Sequence, residues 1–215
     1  MANPWLEVPL ADYEGHMEYA GQARMLGRIF GETLRTLRPQ SVAVLGAAGG
    51  NGFEHLIGGT AVRIVALDLN DGYLRELRRR FGDRVRGLEI LCGDLDDAAV
   101  GFAPVDLVYA ALVLEYVDAE QALARIHGWL QPQGALRVVL QLPDDASPRV
   151  TASPFKNLEK LGGAMKLHDA EGFRRLAAKA GFAEVSHEVL TLPGGKRFYS
   201  AHHAIRAFGR PRQKV

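Results

Sequence analysis

The residues best suited to chemistry lie where three apolar runs give way to small or acidic side chains. Val42, Val44 and Leu45 lead into Gly46-Ala47-Ala48-Gly49-Gly50-Asn51-Gly52. Glycines at 46 and 50 permit tight turning and close approach of a ligand to the backbone. A second run, Val62 to Leu67, ends at Asp68, and a third, Leu88 to Cys92, ends at Gly93-Asp94. A carboxylate that follows a glycine turn by one βα unit accepts the hydroxyl hydrogens of a ribose, so Asp68 suggests a nucleoside. Asp94 is placed to accept a hydrogen bond from an exocyclic adenine amine, with the Leu95 N–H near a ring nitrogen. The same residues also have plainer uses. Gly46 and Gly50 suit a strand-to-helix turn, Asp68 a helix cap, and Asp94 with Asp96 and Asp97 a solvated acidic cluster at a helix start.

Groups able to move a proton occur in Tyr13-Glu14-Gly15-His16-Met17 and in Glu115-Tyr116. Tyr13, His16 and Glu115 are the candidate catalytic groups, although a polar helix start and an ordinary loop would also accommodate these residues. The seven histidines show no His-Glu-x-x-His spacing, and Cys92 is the only cysteine. Neither a metal cage nor an intrachain disulfide is expected.

These residues need a frame to hold them. The runs 42–45, 62–67, 88–92 and 105–111 have the length and β-branched content of buried parallel strands. Between them, a short helix is expected over 52–57. A second helix, over about 72–81, has Leu74, Leu77 and Phe81 on one face, a cap at Asn70 or Asp71, and Arg75, Arg78, Arg79 and Arg80 towards solvent. Asp118 and Gln121 have the capping-box spacing. Leu123, Ile126 and Leu130 extend that helical period to Pro132 and Gly134, before a strand over 135–140. Alternating strands and helices predict a parallel α/β sheet whose carboxyl edge gathers Gly46, Asp68 and Asp94, the edge at which such sheets bind ligands. Met17 to Leu37 reads as one or two amphipathic helices ahead of the first strand. From 142 to 167 the period is lost among Pro143, Pro148, Pro154 and Gly162-Gly163, with a short helix near 157–161. Irregular stretches of this length usually serve function. A helix opened by His168 or Asp169 and closed by Gly181 follows, then strand-like segments near 185–190 and 198–204.

The 215 residues suit one domain, 1–215, divided into a helical cap (1–40), a ligand-binding core (41–141), a lid (142–167) and a terminal helix with strands (168–215). A composition 47% hydrophobic and 24% charged is ordinary for a globular chain, and a formal net charge of +1 provides no strong field for nucleic acid or anionic lipid. Arg206, Arg210, Arg212 and Lys214 read as a solvated tail. A cytoplasmic protein is expected, with a small-molecule partner, neither nucleic acid nor membrane, and a monomeric or homodimeric state.

Val42 to Gly50 resembles the first motif of the Rossmann-like (class I) S-adenosylmethionine-dependent methyltransferases, of the small bacterial type. Leu67-Asp68-Leu69-Asn70 is similar to their ribose-binding motif, Cys92-Gly93-Asp94-Leu95 to their adenine-binding motif, and Asp106 to Leu112 to the strand facing the methionine moiety. Leu130 to Ala135 and Glu171 to Phe182 resemble the turn before their fifth strand and their penultimate helix, so the likeness covers roughly residues 41 to 204. It implies a three-layer sandwich around a seven-stranded, mostly parallel sheet with an antiparallel last strand and N-terminal helices. It also implies S-adenosyl-L-methionine as cofactor, held by Gly46, Ala47, Ala48, Gly50, Asp68, Leu69, Asp94, Leu95 and Ala110. The implied activity is in-line methyl transfer to a small molecule. Two positions depart from the pattern: the family often has an acid where Val44 stands and a glycine where Ala48 stands. The alternatives are a short-chain-dehydrogenase-like NAD(P) protein, whose Tyr-x-x-x-Lys pair is absent at every tyrosine, and a non-catalytic S-adenosylmethionine-binding protein. The segment Tyr109 to Leu112 lacks the Asn/Asp-Pro-Pro-aromatic motif of many enzymes that methylate nucleobase amines.

Overall fold

The computed structural model describes residues 3–144 and 148–206. The chain starts with a 3-10 turn (Pro4–Glu7) and the helices α1 (Leu10–Tyr19) and α2 (Gln22–Leu37). There follow β1 (Ser41–Leu45), a 3-10 turn (Phe53–Leu56), β2 (Arg63–Asp68), α3 (Asp71–Phe81), β3 (Leu88–Cys92) and β4 (Val105–Ala111). After a 3-10 turn (Leu114–Tyr116) come α4 (Ala119–Gly128), β5 (Leu130–Gln141), a further 3-10 segment (Lys156–Gly163), α5 (Ala170–Lys179), β6 (Phe182–Thr191) and β7 (Arg197–Ile205).

Local chemistry sets most helix starts. Asn70 Oδ1 accepts from the N–H groups of Gly72 (3.0 Å) and Tyr73 (3.3 Å), Asp118 Oδ1 from Gln121 N (3.0 Å), and Asp169 Oδ1 from Gly172 N (2.7 Å). Each bond satisfies a backbone donor that the first turn of a helix leaves free.

Among the described residues, the seven strands form one sheet in the order β3-β2-β1-β4-β5-β7-β6, with β7 antiparallel to both neighbours. Alternation along β1 divides the core. Ala43 and Leu45 pack with Leu123, Ile126 and Phe173 of α4 and α5, while Val42 and Val44 pack with Ile29, Phe30, Leu77 and Phe81 of α2 and α3. The result is the expected three-layer α/β sandwich. Leu45 stands opposite Leu67 and Ala110, and Asp68 opposite Cys92, so the strands end at one level and bring Gly46, Asp68 and Gly93 to a common edge.

Three local expectations are corrected. Helix α4 ends at Gly128, and Leu130 to Gly134, including Pro132, belong to β5. Val105 pairs with Leu130 but Leu107 with Ala135, so residues 131–134 bulge from the ladder, where a proline loses no pairing bond. Tyr13 to Met17 lie inside α1 rather than ahead of the helices. Arg80 is not simply solvated: its guanidinium is half-buried between Glu14 and Glu76. Arg210, Arg212 and Lys214 lie outside the described residues. No described helix is long and apolar enough to cross a membrane.

Candidate active site

A cleft of about 650 Å³, open mouth included, lies over the carboxyl ends of β1 to β4. Its floor includes Gly46, Ala48, Asp68, Leu69, Asp94 and Leu95, so six of the nine expected ligand-binding residues meet there. Asp68 organises the glycine turn. Its Oδ2 accepts from the Ala48 N–H at 2.8 Å and its Oδ1 from the Asn70 N–H at 2.9 Å. Burial pushes the carboxyl above the usual carboxylate range, partly opposed by these bonds. Each carboxylate oxygen keeps capacity for a second hydrogen bond, so ribose hydroxyls can be received without dismantling the turn. Helix α3 is capped by Asn70, which removes the plain capping role for Asp68.

Two non-glycine residues at this edge hold left-handed backbone, Ala48 (φ 45°) and Leu112 (φ 54°). The Ala48 conformation explains the family preference for glycine there, since an L side chain in this region costs about 1 kcal/mol. Val44, the other departure, is buried in the apolar layer beneath α2 and α3 and does not face the cleft.

The roof comes from distant sequence. Asn3 Nδ2 approaches Asp94 Oδ2 at 3.5 Å, Asn70 Nδ2 donates to the Trp5 carbonyl at 3.1 Å, and the Tyr73 hydroxyl donates to the Val8 carbonyl at 2.7 Å. Arg80 fastens α1 from behind, gripping Glu14 (Nη2 to Oε2 3.0 Å) and donating to the Gly49 carbonyl at 3.3 Å. The cleft's polar groups are thus two carboxylates, an amide, the Trp5 indole N–H, tyrosine hydroxyls and backbone. Among the described residues no lysine or arginine lines it. This donor set suits a nucleoside or a cationic ligand and offers no side-chain counter-charge to a pyrophosphate.

A second cleft, about 490 Å³ with its opening, shares Trp5, Tyr13, Leu112 and Tyr116 with the first. Its outer wall is the irregular stretch after β5, where Leu158 and Leu161 pack with Val8, Trp5, Tyr13 and Tyr116. Asn157 donates to Asp12, and Lys160 pairs with Glu7 at 3.0 Å, so the N-terminal segment and this stretch meet directly. Gly15 is the contact point in α1: a Cβ there would stand 2.3 Å from the Phe155 ring.

The proton-moving candidates separate. Tyr13 lines both clefts, and burial together with the Asp68 charge pushes its phenol well above the ordinary range. His16 lines the second cleft, 4% exposed, with Nδ1 2.9 Å from Ser153 Oγ. Glu115 lines neither: it is fully buried behind Tyr116, its Oε1 accepts from the Gln141 N–H at 2.8 Å, and its Oε2 has no partner.

Ala47, Gly50 and Ala110 are placed apart from the other six, because none lines the first cleft. Ala47 is packed beneath α2, Gly50 flanks a separate depression beside Arg80, and Ala110 points into the layer under α4 and α5. Its neighbours Ala111 and Leu112 line the cleft instead. Asn3, Trp5, Tyr73 and Val113 also line it without having been singled out, and only the aromatic character of Trp5 and Tyr73 offered a signal. Among the described residues, no group of three or more His, Cys, Asp or Glu side chains is placed to hold a metal.

The model of the "Methyltransferase domain" family matches residues 43–138. The chain is 29% identical to a ubiquinone/menaquinone biosynthesis C-methyltransferase, UbiE, of Methylobacterium nodulans, over 74% of this chain and 72% of the relative. It superposes on the N-methyltransferase NodS of Bradyrhizobium japonicum, solved with S-adenosyl-L-homocysteine, with a TM-score of 0.68 at 15% identity, covering 86% of this chain and 88% of NodS. A Burkholderia thailandensis 1,6-didemethyltoxoflavin-N1-methyltransferase gives a TM-score of 0.67 at 21% identity, covering 92% and 84%. At these identities the two structures show the fold alone.

Proposed function

Because the chain belongs to the class I S-adenosylmethionine-dependent methyltransferases, we propose that its first cleft holds that cofactor and its second a small-molecule methyl acceptor. The observation that carries this reading is the wall shared by the clefts: Trp5, Tyr13, Leu112 and Tyr116 border both, so ligands in the two would meet there.

In this reading Asp68 accepts the ribose hydroxyls, Asp94 accepts the adenine amine, and the Leu95 N–H faces a ring nitrogen. Gly46, Ala48 and Leu69 supply backbone close to the ligand. The bound cofactor supplies an electrophilic methyl group on a sulfonium. Trp5, Tyr13, Tyr73 and Tyr116 offer aromatic surface suited to a cation, and no described lysine or arginine competes with it. The chain's catalytic contribution is then largely positional, since orienting acceptor and methyl carbon supplies much of the rate in such a displacement. Residues 3–17 together with 148–165 act as a lid that excludes water and limits unproductive orientations. A small acceptor is supported by the modest second cleft and by the small molecules named for the quinone and didemethyltoxoflavin enzymes.

A crystal structure with S-adenosyl-L-homocysteine tests the assignment. The ribose should lie against Asp68, the adenine against Asp94, and the sulfur at the wall shared with the second cleft. A nucleoside bound elsewhere would overturn it.

A further inference from the structure

Resting on that reading of the first cleft, we propose that His16 is the general base of the reaction and that the acceptor is a flat, apolar molecule carrying an acidic hydroxyl, methylated on that oxygen.

Of the three proton-moving candidates, only His16 meets the second cleft with an available lone pair. Glu115 does not reach the cleft, and the Tyr13 phenol is held protonated by burial and the Asp68 charge. Ser153 orients the ring. Its Oγ, which also accepts from the Phe155 N–H at 3.2 Å, lies 2.9 Å from Nδ1; we take the Nδ1 hydrogen to be donated to that oxygen, which leaves the Nε2 lone pair free. Burial, then the nearby Lys196 ammonium, pulls the imidazole below its ordinary range, which keeps it neutral at pH 7. Lys196, just ahead of β7, is fixed by donating to the carbonyls of Pro148 (2.7 Å) and Arg149 (2.6 Å).

The wall around the histidine selects the acceptor. Met17, Leu112, Leu158, Leu161 and Met165 make it apolar, and Trp5 and Tyr116 make it aromatic. Arg149 stands at the rim, its Nη1 donating to the Met165 carbonyl at 2.7 Å. Among the described residues no Asp or Glu lines the cleft. An ammonium acceptor would therefore be desolvated beside Arg149 with no described carboxylate in the cleft wall, whereas that cation favours a hydroxyl that gains negative charge; the Lys196 charge, outside this cleft, is partly balanced by Asp144. In the transfer the hydroxyl proton passes to His16 Nε2 and an oxygen lone pair forms the new bond to the methyl carbon. The carbon–sulfur pair returns to sulfur. The products are a methyl ether, the demethylated thioether and an imidazolium that later loses its proton to solvent.

The test uses the full chain, with S-adenosyl-L-homocysteine binding measured first; a chain that fails to bind it refutes the cofactor reading rather than this one. On the loaded protein, 15N spectra of the histidine rings should show His16 as the neutral Nδ1–H tautomer at pH 7. Its Nε2 resonance should move with 2-naphthol but not with 2-naphthylmethylamine. The groups bearing on His16 in such a titration are Lys196, with Asp144 acting on it, and Arg149, Tyr13 and Tyr116. With radiolabelled cofactor, wild type should form the naphthyl methyl ether. His16→Gln, checked for folding by its retained S-adenosyl-L-homocysteine affinity, should slow that transfer by about 10²-fold or more. The proposal is overturned by a protonated or Nε2–H ring, by preference for the amine, by methylation on carbon, by a loaded chain that leaves 2-naphthol unmethylated, or by a His16→Gln variant of wild-type rate.

Discussion

Replacing Glu115 by glutamine should make the protein more stable at pH 8 and leave it nearly unchanged at pH 5. The carboxyl is fully buried, one oxygen lacks a partner, and burial lifts it from 4.5 to about 7 despite the hydrogen bond from Gln141. Below pH 4.5 the folded and unfolded chains both hold the proton. Between 4.5 and 7 the unfolded chain releases it and the folded chain does not, so stability falls as pH rises; above 7 both are ionised and the loss is complete. With 1.36 kcal/mol per pKa unit, that window is worth about 3 kcal/mol. Glutamine retains the oxygen that accepts from Gln141 and never ionises, so it escapes the loss. About 2.5 kcal/mol of that loss falls between pH 5 and pH 8, which for a chain of this size corresponds to roughly 5–10 °C in Tm. Thermal melts of wild type and Glu115→Gln at pH 5 and pH 8 measure it, the subtraction removing every other titrating group. An equal Tm gap at the two pH values would refute the reasoning and mean that the carboxyl is hydrated or paired.

Other perturbations probe the cleft and its roof. Ala48→Gly should leave Tm unchanged or raised, because relief of the left-handed alanine, about 1 kcal/mol, offsets the entropy cost of glycine; a clear fall in a melt would show that the turn is unstrained. Gly15→Ala should not bring the gain of about 1 kcal/mol usual for this change within a helix, since the new methyl displaces Phe155; a higher Tm would mean that α1 and the stretch beyond β5 are not packed together. Arg80→Ala removes a partly exposed clamp on Glu14 worth about 1 kcal/mol, so stopped-flow release of S-adenosyl-L-homocysteine should quicken several-fold, and an unchanged rate would remove α1 from the path of exchange.

The glycine turn, Asp68 and Asp94 were legible because each sits within a few residues of the strand that places it, and strand length and β-branching are local signals. Ala110 shows where this stops. Two adjacent alanines end a strand apolar on both faces, so its pattern cannot tell which faces the helices, and the structure turns Ala110 to the core and Ala111 to the cleft. The roof was invisible for another reason: Asn3 meets Asp94, and Trp5 meets Asn70, across nearly the whole βαβαβ unit, contacts that no periodicity encodes. Arg80 resembled its three neighbouring arginines until Glu14 of another helix came to face it. Pro132 and Gly134 misled because they are ordinary helix terminators, here accommodated in a bulge of β5.

The most direct measurement of the central claim is calorimetric titration of the wild-type chain and of Asp68→Ala with S-adenosyl-L-homocysteine and, separately, with NAD. Wild type should bind one S-adenosyl-L-homocysteine and no NAD. The folded variant should bind it about 10- to 150-fold more weakly, the equivalent of losing a charge-assisted hydrogen-bond acceptor worth about 1.5–3 kcal/mol. Binding of NAD alone, or an unchanged affinity in the variant, would contradict the account.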